Sequence, residues 1–336
     1  MKKTARIEDT SRAKRQASRN GLRSFCRSAY GLSVHFGLYS LSTHGNEWIY
    51  YTDRIPFATY RTRMERFNPS RFNADEWADL MVEAQQKFLL ITTKHHDGFC
   101  LWDSAGTDFK ITNTPFQRDL LAELAEALRQ RGIALHFYYS LVDWTHPAYR
   151  RDWARYVEYY HNQLRELCSR FGKIGGILFD GYWPGPGGAF FRKDRDAKNY
   201  FGARGPWDLA GAYDLIHTLQ PQAVITNNTH VLPLKGEDYQ IWELDLPGEN
   251  TTGWNCTRIG DKPTACWWNL NAGWSYQPWN HCVKSAESIL NTYRQVRARE
   301  AVFLLNVGPR PFGDIHPEEQ QVMRALGRMI RDGGTK

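Results

Sequence analysis

Hydrophobic positions along the chain follow two alternating rhythms. Short, nearly continuous apolar runs rich in β-branched and aromatic residues occur at 33–37, 88–93, 133–140, 175–180, 224–226, 239–242, 265–268 and 302–307. Runs of that length, bounded by turn residues, predict strands buried on both faces. Between them the apolar spacing lengthens to that of a helix. Trp77, Leu80, Met81 and Ala84 share one face behind a capping-box-like Asn73 and Glu76. Leu120, Leu121, Leu124, Ala125 and Leu128 form a second amphipathic stretch that Gly132 ends. Residues 149–171 predict a long helix, and Leu209, Tyr213, Ile216 and Leu219 a shorter one closed by Pro221. A further helix is predicted over 284–299, and Pro317 opens a last one at its favoured first position. Strands alternating with helices imply a parallel sheet, and about eight such units imply a closed (β/α)8 barrel, an α/β fold that takes about 250 residues. The 336 residues hold no repeat, low-complexity tract or linker. They predict a basic leader over 1–25, solvated and partly disordered, and one (β/α)8 catalytic domain over 26–336.

Charge changes this picture little. The net charge of +7 is carried by the first thirty residues, which hold nine Lys/Arg against two acids, while the rest balances 34 of each sign. No basic stripe crosses the folded part, so a nucleic-acid partner is not expected. The leader has the charged start of an export signal without its apolar run, and no window approaches 18 apolar residues, so no membrane partner is expected either. Six scattered cysteines form no C-x-x-C pair and read as free thiols in a reducing cytoplasm.

The polar residues at the strand ends carry the chemistry. His35 ends the first predicted strand, with Glu47 and Trp48 in the loop after it. Lys94-His95-His96-Asp97 ends the second, Tyr138-Tyr139-Ser140 the third, Asp180 the fourth and Asn227-Asn228 the fifth, and Glu243 follows the sixth. In a barrel those ends converge on one pocket. Adjacent strand residues face opposite ways, so His95 and His96 would not chelate one ion without a bulge, and no H-x-H or H-E-x-x-H spacing helps them. Neither a G-x-S-x-G elbow nor a phosphate-cradling loop is present. No metal or cofactor is expected. What remains is carboxylate chemistry among aromatic walls, for which Trp48, Trp183, Trp268, Trp274, Tyr139 and Phe99 are candidates. Two carboxylates on different strand ends suit glycoside hydrolysis, one attacking the anomeric carbon and the other protonating the leaving oxygen.

Val34-His35-Phe36-Gly37-Leu38-Tyr39-Ser40, then Glu47-Trp48, then Thr92-Thr93-Lys94-His95-His96-Asp97-Gly98-Phe99-Cys100-Leu101-Trp102 resemble the α-L-fucosidases of glycoside hydrolase family 29. The likeness continues through Phe137-Tyr138-Tyr139-Ser140, Leu178-Phe179-Asp180-Gly181 and Leu304-Leu305-Asn306-Val307-Gly308-Pro309, and covers nearly the whole chain from about residue 25. The resemblance implies a retaining exo-hydrolase that releases terminal α-L-fucose from fucosylated oligosaccharides through a covalent fucosyl-enzyme intermediate. It puts the nucleophile on Asp180 and fucose-binding residues on His35, Trp48, His95, His96 and Tyr139. An Asp-aromatic-x3-Glu pattern at Asp238–Glu243 implies Glu243 as acid/base, with Glu47, Asp245 and Glu249 as alternates. The chain departs from the family pattern at Thr264-Ala265-Cys266, at Trp274-Ser275-Tyr276 in place of Trp-Gly-Tyr, and at Thr229, where many members have Arg. No room is left after Lys336 for the β-sandwich many relatives carry, so leaving groups would be met by loops or by another subunit of a homo-oligomer. The alternative is a non-catalytic fucose-binding protein on a degenerate barrel.

Overall fold

A computed structural model of the chain describes residues 2–182 and 206–333, with the backbone alone over 2–12. Eight parallel strands, β1 Tyr30–Val34, β2 Phe88–Lys94, β3 Ala134–Ser140, β4 Gly176–Asp180, β5 Val224–Asn227, β6 Gln240–Glu243, β7 Thr264–Asn269 and β8 Val302–Val307, form one sheet in the order β5-β4-β3-β2-β1-β8-β7-β6. The sheet curls into a (β/α)8-type barrel whose seam lies between β5 and β6. There a mixed set of bonds stands in for a regular ladder: Asp238 N–H to the Ile225 carbonyl (2.7 Å), Ile225 N–H to Asp238 Oδ2 (2.8 Å) and the Thr226 hydroxyl to the Tyr239 carbonyl (2.6 Å).

Helices α1 Lys2–Ser28, α2 Ala74–Glu83, α3 Leu120–Gln130, α4 Trp153–Arg170, α5 Leu209–Leu219, α6 Ala286–Ala298 and α7 Pro317–Gly333 surround the strands, with shorter helical turns between. Asn73 caps α2 as its sequence predicts, accepting from the Asp75 and Glu76 amides while its own amide donates to Glu76. Two predicted elements differ. The first strand begins three residues earlier than its apolar run suggests, because Tyr30–Val34 pairs with both β2 and β8, leaving His35 just past the strand end. The helix predicted over 149–171 breaks at Asp152, whose side chain caps the N-terminus of α4 after a short helix over Pro147–Arg151. No helix follows β5 or β6, so the outer ring is incomplete beside the seam.

The leader is not free chain. α1 runs to Ser28 and ends against the N-terminal mouth of the barrel, where Phe25, 3% exposed, packs its ring on Phe88 (5.5 Å), His136 (5.8 Å) and Tyr239 (4.4 Å). A Cβ at Gly21 would lie 1.8 Å from the Gln222 carbonyl oxygen, so the helix reaches the turn before β5 only because that position is glycine. Above Phe25 the lumen is filled by Phe88, Leu90, Tyr138, Leu178, Val224, Ile241, Ala265, Trp267, Val302 and Leu304. The intervening strand residues, among them Leu89, Ile91, Phe137, Tyr139, Ile177, Phe179, Trp242 and Leu305, pack outward under the helices. Closed at the bottom, the barrel leaves its polar residues at the carboxyl ends of the strands.

Candidate active site

In a parallel ladder, paired residues project to the same face. Ser140 pairs with Asp180, so Tyr138 and Asp180 look into the lumen and Tyr139, paired with Phe179, looks out. Two positions beyond the lumen residues Leu178, Ile241 and Leu304 stand Asp180, Glu243 and Asn306, which continue the same face to the rim. The carboxyl ends of β1, β3, β4, β6 and β8 thereby contribute to one buried polar cluster.

Asp180 lies at its centre. The Tyr138 hydroxyl donates to Oδ2 at 2.7 Å, and the Gly181 amide to Oδ1 at 2.7 Å. Gly181 has φ +91, and a Cβ there would meet Val142 Cγ2 at 2.7 Å, so the turn that aims this amide at the carboxylate requires glycine. Three imidazoles stand around it. His35 Nδ1 contacts Asn306 Oδ1 at 2.8 Å, and the Asn306 amide group is oriented by donating to the Trp274 carbonyl, so His35 carries its proton on Nδ1 and turns a bare Nε2 away from Asn306. The Ser140 hydroxyl donates to the Val142 carbonyl, so it accepts from His96 Nδ1–H (2.6 Å), and His96 Nε2 stands 3.8 Å from Asp180 Oδ2. His95 lies between, 4.2 Å from the His96 ring and stacked at 5.5 Å on Tyr138. Burial holds all three neutral, His35 down to about 4, His96 to about 3 and His95 well below the ordinary range.

Asp180 is pushed up to about 7, first by burial and then by the charge of Glu243, against the Tyr138 bond, the charge that His230 carries when protonated and the Gly181 amide. Glu243 is likewise raised to about 7, by burial and by Glu47, against a single donor, Asn228 Nδ2 at 2.8 Å. Glu47, also buried and raised by that burial, accepts from the Ser275 hydroxyl at 2.9 Å. These carboxyl groups titrate as a set. Asp180 has two donors and Glu243 has one, so negative charge settles on Asp180 and the proton on Glu243.

The alternates separate on their partners. Asp245 accepts from the amides and hydroxyls of Thr251 and Thr252 and from Asn255 Nδ2, and although burial pushes its carboxyl up, those bonds outweigh it and hold the group ionised. Glu249 is paired with Arg299 on the surface. Asp245 is thereby held from carrying a proton for an acid step near neutral pH.

Several expected residues sit elsewhere. The Tyr139 hydroxyl donates to Gln163 on α4 at 2.7 Å, and its ring lies under Lys94 Nζ at 4.5 Å, so Tyr138 occupies the position expected of it. The expected wall Trp268 is half-buried in the outer layer, whereas its neighbour Trp267 enters the lumen, 5.2 Å from His35 and 4.7 Å from Trp274. Trp274 itself lies 5.2 Å from His35. Phe99 packs on Phe67 and Phe109 away from the cluster. Trp48 lies 5.0 Å from His96 and 5.3 Å from Trp144, a wall residue the sequence reading did not single out. Trp183 falls outside the described residues. His95 and His96 do share a face: the β2–β3 register shifts between Thr92 and Lys94, and this bulge turns Lys94 outward and frees the next two residues from strict alternation.

Among the described residues, one group of three donors lies close enough to hold a metal, His281, His316 and Glu318, and it contains none of these residues. Asn271 Oδ1 accepts from the Ala272 and Cys282 amides, so Nδ2 donates to His281 Nδ1 and the proton sits on Nε2, where it bonds Glu318 at 3.1 Å.

The alpha-L-fucosidase family model matches residues 2–335. Alpha-L-fucosidase 1 of Arabidopsis thaliana is 30% identical over 78% of this chain and 52% of its own, so the chain spans about half the length of that relative. Alpha-L-fucosidase isoenzyme 1 from Paenibacillus thiaminolyticus superposes with a TM-score of 0.80 at 30% identity, over 95% of this chain and 77% of that one. An alpha-L-fucosidase of family 29 from Bacteroides thetaiotaomicron, trapped as a covalent intermediate with 2-fluoro-fucosyl fluoride, superposes with a TM-score of 0.76 at 27% identity, over 94% and 75%. Matched along its length in sequence and in barrel geometry, the chain belongs to the alpha-L-fucosidase family.

Proposed function

We propose that the chain is a retaining α-L-fucosidase that releases terminal α-L-fucose from fucosylated oligosaccharides. The observation that carries this reading is the pair of carboxyl groups on β4 and β6, Asp180 buried and Glu243 partly so, with unequal hydrogen bonding, Asp180 with two donors and Glu243 with one. Asp180 is the nucleophile. Its carboxylate attacks the anomeric carbon as Glu243 passes its proton to the departing glycosidic oxygen, giving a fucosyl ester on Asp180. Glu243, now ionised, takes a proton from water, and the hydroxide so formed displaces Asp180. The trapped covalent intermediate of the Bacteroides relative supports the two-step course. The neutral imidazole of His35, with Nδ1 committed to Asn306, accepts from a sugar hydroxyl through Nε2 without bringing a positive charge that would compete for the nucleophile. Trp48, Trp144, Trp267 and Trp274 line the apolar side, suited to a deoxysugar whose C6 is a methyl group. Six free cysteines support a reducing compartment such as the cytoplasm, which fractionation of the source cells would test.

Release of nitrophenol from the aryl α-L-fucoside tests the reading. Asp180→Ala should retain under about 1% of the wild-type rate, since loss of the covalent route costs orders of magnitude. Glu243→Ala should slow fucosides with poor leaving groups far more than nitrophenyl fucoside, which needs little protonation. Equal slowing of both would move the acid role to another residue.

A further inference from the structure

Glu243 has a neighbour that the two-carboxylate scheme leaves without a task. His230 stands in the turn after β5, beside the seam, with φ +56, a left-handed conformation in which Asn, Asp and His are the enriched side chains. Its side chain is only 12% exposed, and its Nε2 lies 3.8 Å from Glu243 Oε2. The ring is oriented from behind. Asn255 Nδ2 is committed to the Glu243 carbonyl (2.7 Å) and Asp245 Oδ2 (2.8 Å), so Asn255 Oδ1 faces the imidazole and accepts from Nδ1–H at 3.3 Å. The same Oδ1 accepts the Glu243 amide at 3.3 Å, so one side chain clamps both the backbone of Glu243 and the ring of His230. The ring nitrogen left bare is the one that faces Glu243. The other groups facing the pair are Asp180, Glu47 and the Asn228 amide, and among the described residues no Lys or Arg is ion-paired with any of these three carboxyl groups.

We propose that His230 is a positioning residue that shares one proton with Glu243. Resting on the reading of Glu243 as acid/base, the assignment adds a second seat for the proton that the leaving group needs. Before bond cleavage the proton lies on Glu243, hydrogen-bonded to His230 Nε2, or on Nε2, as an imidazolium against the Glu243 and Asp180 carboxylates. It leaves on the glycosidic oxygen, and water restores it in the second half-reaction. The 3.8 Å separation is of the kind that tightens when substrate closes the site. A proton with two seats is held to higher pH than a proton with one, so the sign of the effect is determined: removing the imidazole lowers the pH at which the acid is lost.

The test uses His230→Asn, since Asn tolerates positive φ, and His230→Gly, with exogenous imidazole as a second route should the first variant fold poorly. The pH dependence of kcat/KM is measured on nitrophenyl fucoside and on a fucoside with a poor leaving group, with Glu243→Gln in parallel. The expected result is an alkaline limb moved down by about one pH unit, roughly tenfold slowing of the poor substrate at pH 7, little change for the nitrophenyl fucoside, and return of the limb in His230→Gly on adding imidazole. A merely structural role would slow both substrates at every pH without moving the limb, and that outcome overturns the proposal. If Glu243→Gln discriminates between the substrates while the His230 variants keep the wild-type limb, the proposal alone falls. If Glu243→Gln slows both equally, the reading of Glu243 falls and takes the proposal with it.

Discussion

Tyr138 and Tyr139 are chemically the same residue one position apart, and the pleat of β3 gives them unrelated work. Tyr138 donates to Asp180 inside the barrel, and Tyr139 donates to Gln163 beneath α4. Tyr138→Phe should therefore lower kcat at nearly constant Tm. Tyr139→Phe should leave kcat/KM near wild type and cost about 1 kcal/mol of stability, the net worth of one buried hydrogen bond. A kinetic effect from Tyr139→Phe as large as that of Tyr138→Phe would contradict the register. Asp180 makes a second residue-scale prediction through linkage. Its folded-state pKa is raised to about 7, above the ordinary carboxyl value near 3.9 of the unfolded chain. Between those values the folded state binds the extra proton, so this group's contribution to stability falls as pH rises from about 4 to 7. Asp180→Asn removes the penalty. Its Tm at pH 8 should exceed that of wild type by about 1–2 °C for each kcal/mol of penalty removed in a chain of this length, and the gap should close toward pH 4.

At the scale of elements, the bulge at the end of β2 sorts three consecutive polar residues. Lys94 is turned outward into a cage of Tyr139, Tyr156 and Tyr159, with its ammonium 3.3 Å from Asp143, both side chains buried. Asp143 in turn accepts from the Thr145 and His146 amides, so the ion pair ties the end of β2 to the segment after β3 that carries Trp144 against His96 and Trp48. Lys94→Met would strand the Asp143 carboxylate and should cost about 3–5 kcal/mol, as loss of one partner of a buried pair does, read as a fall in denaturation midpoint. Lys94→Met with Asp143→Asn should recover part of that loss. The Trp-Ser-Tyr variation is another element-scale effect. Ser275 reaches across the pocket to bond Glu47, so a hydroxyl supplied by the loop after β7 holds a carboxyl on the loop after β1.

For the whole molecule, the barrel is a stopper and a cup. Phe25 on α1 closes the amino ends of the strands, the layered lumen residues fill the middle, and the carboxyl ends stay polar. Phe25→Ala should cost about 3–4 kcal/mol in unfolding free energy, the range for a buried aromatic truncated in a core, while kcat of the proposed reaction stays close to wild type, because the stopper and the Asp180–Glu243 cluster are at opposite ends. A large kcat loss at unchanged stability would show that the two ends are coupled.

The sequence by itself determined the eight strands, the helices between and after them apart from their breaks, and which strand ends carry acids and imidazoles, because apolar periodicity is written into neighbouring residues; the helix over Lys2–Ser28 was not among them. It could say that Asp180 lies at a strand end and that Glu243 follows another. Facing was decided by the tertiary structure. Tyr138 and Trp267 entered the pocket in place of Tyr139 and Trp268 because inter-strand register sets which parity looks inward, and register is a property of pairs of strands. His95 and His96 came together through a bulge that no local pattern marks. Glu47 met Ser275 across 228 positions, and His230 met Glu243 across the seam, contacts that exist only once the sheet closes. The unusual protonation of the acids follows from the same closure, since burial and like charge act through space and have no counterpart along the chain.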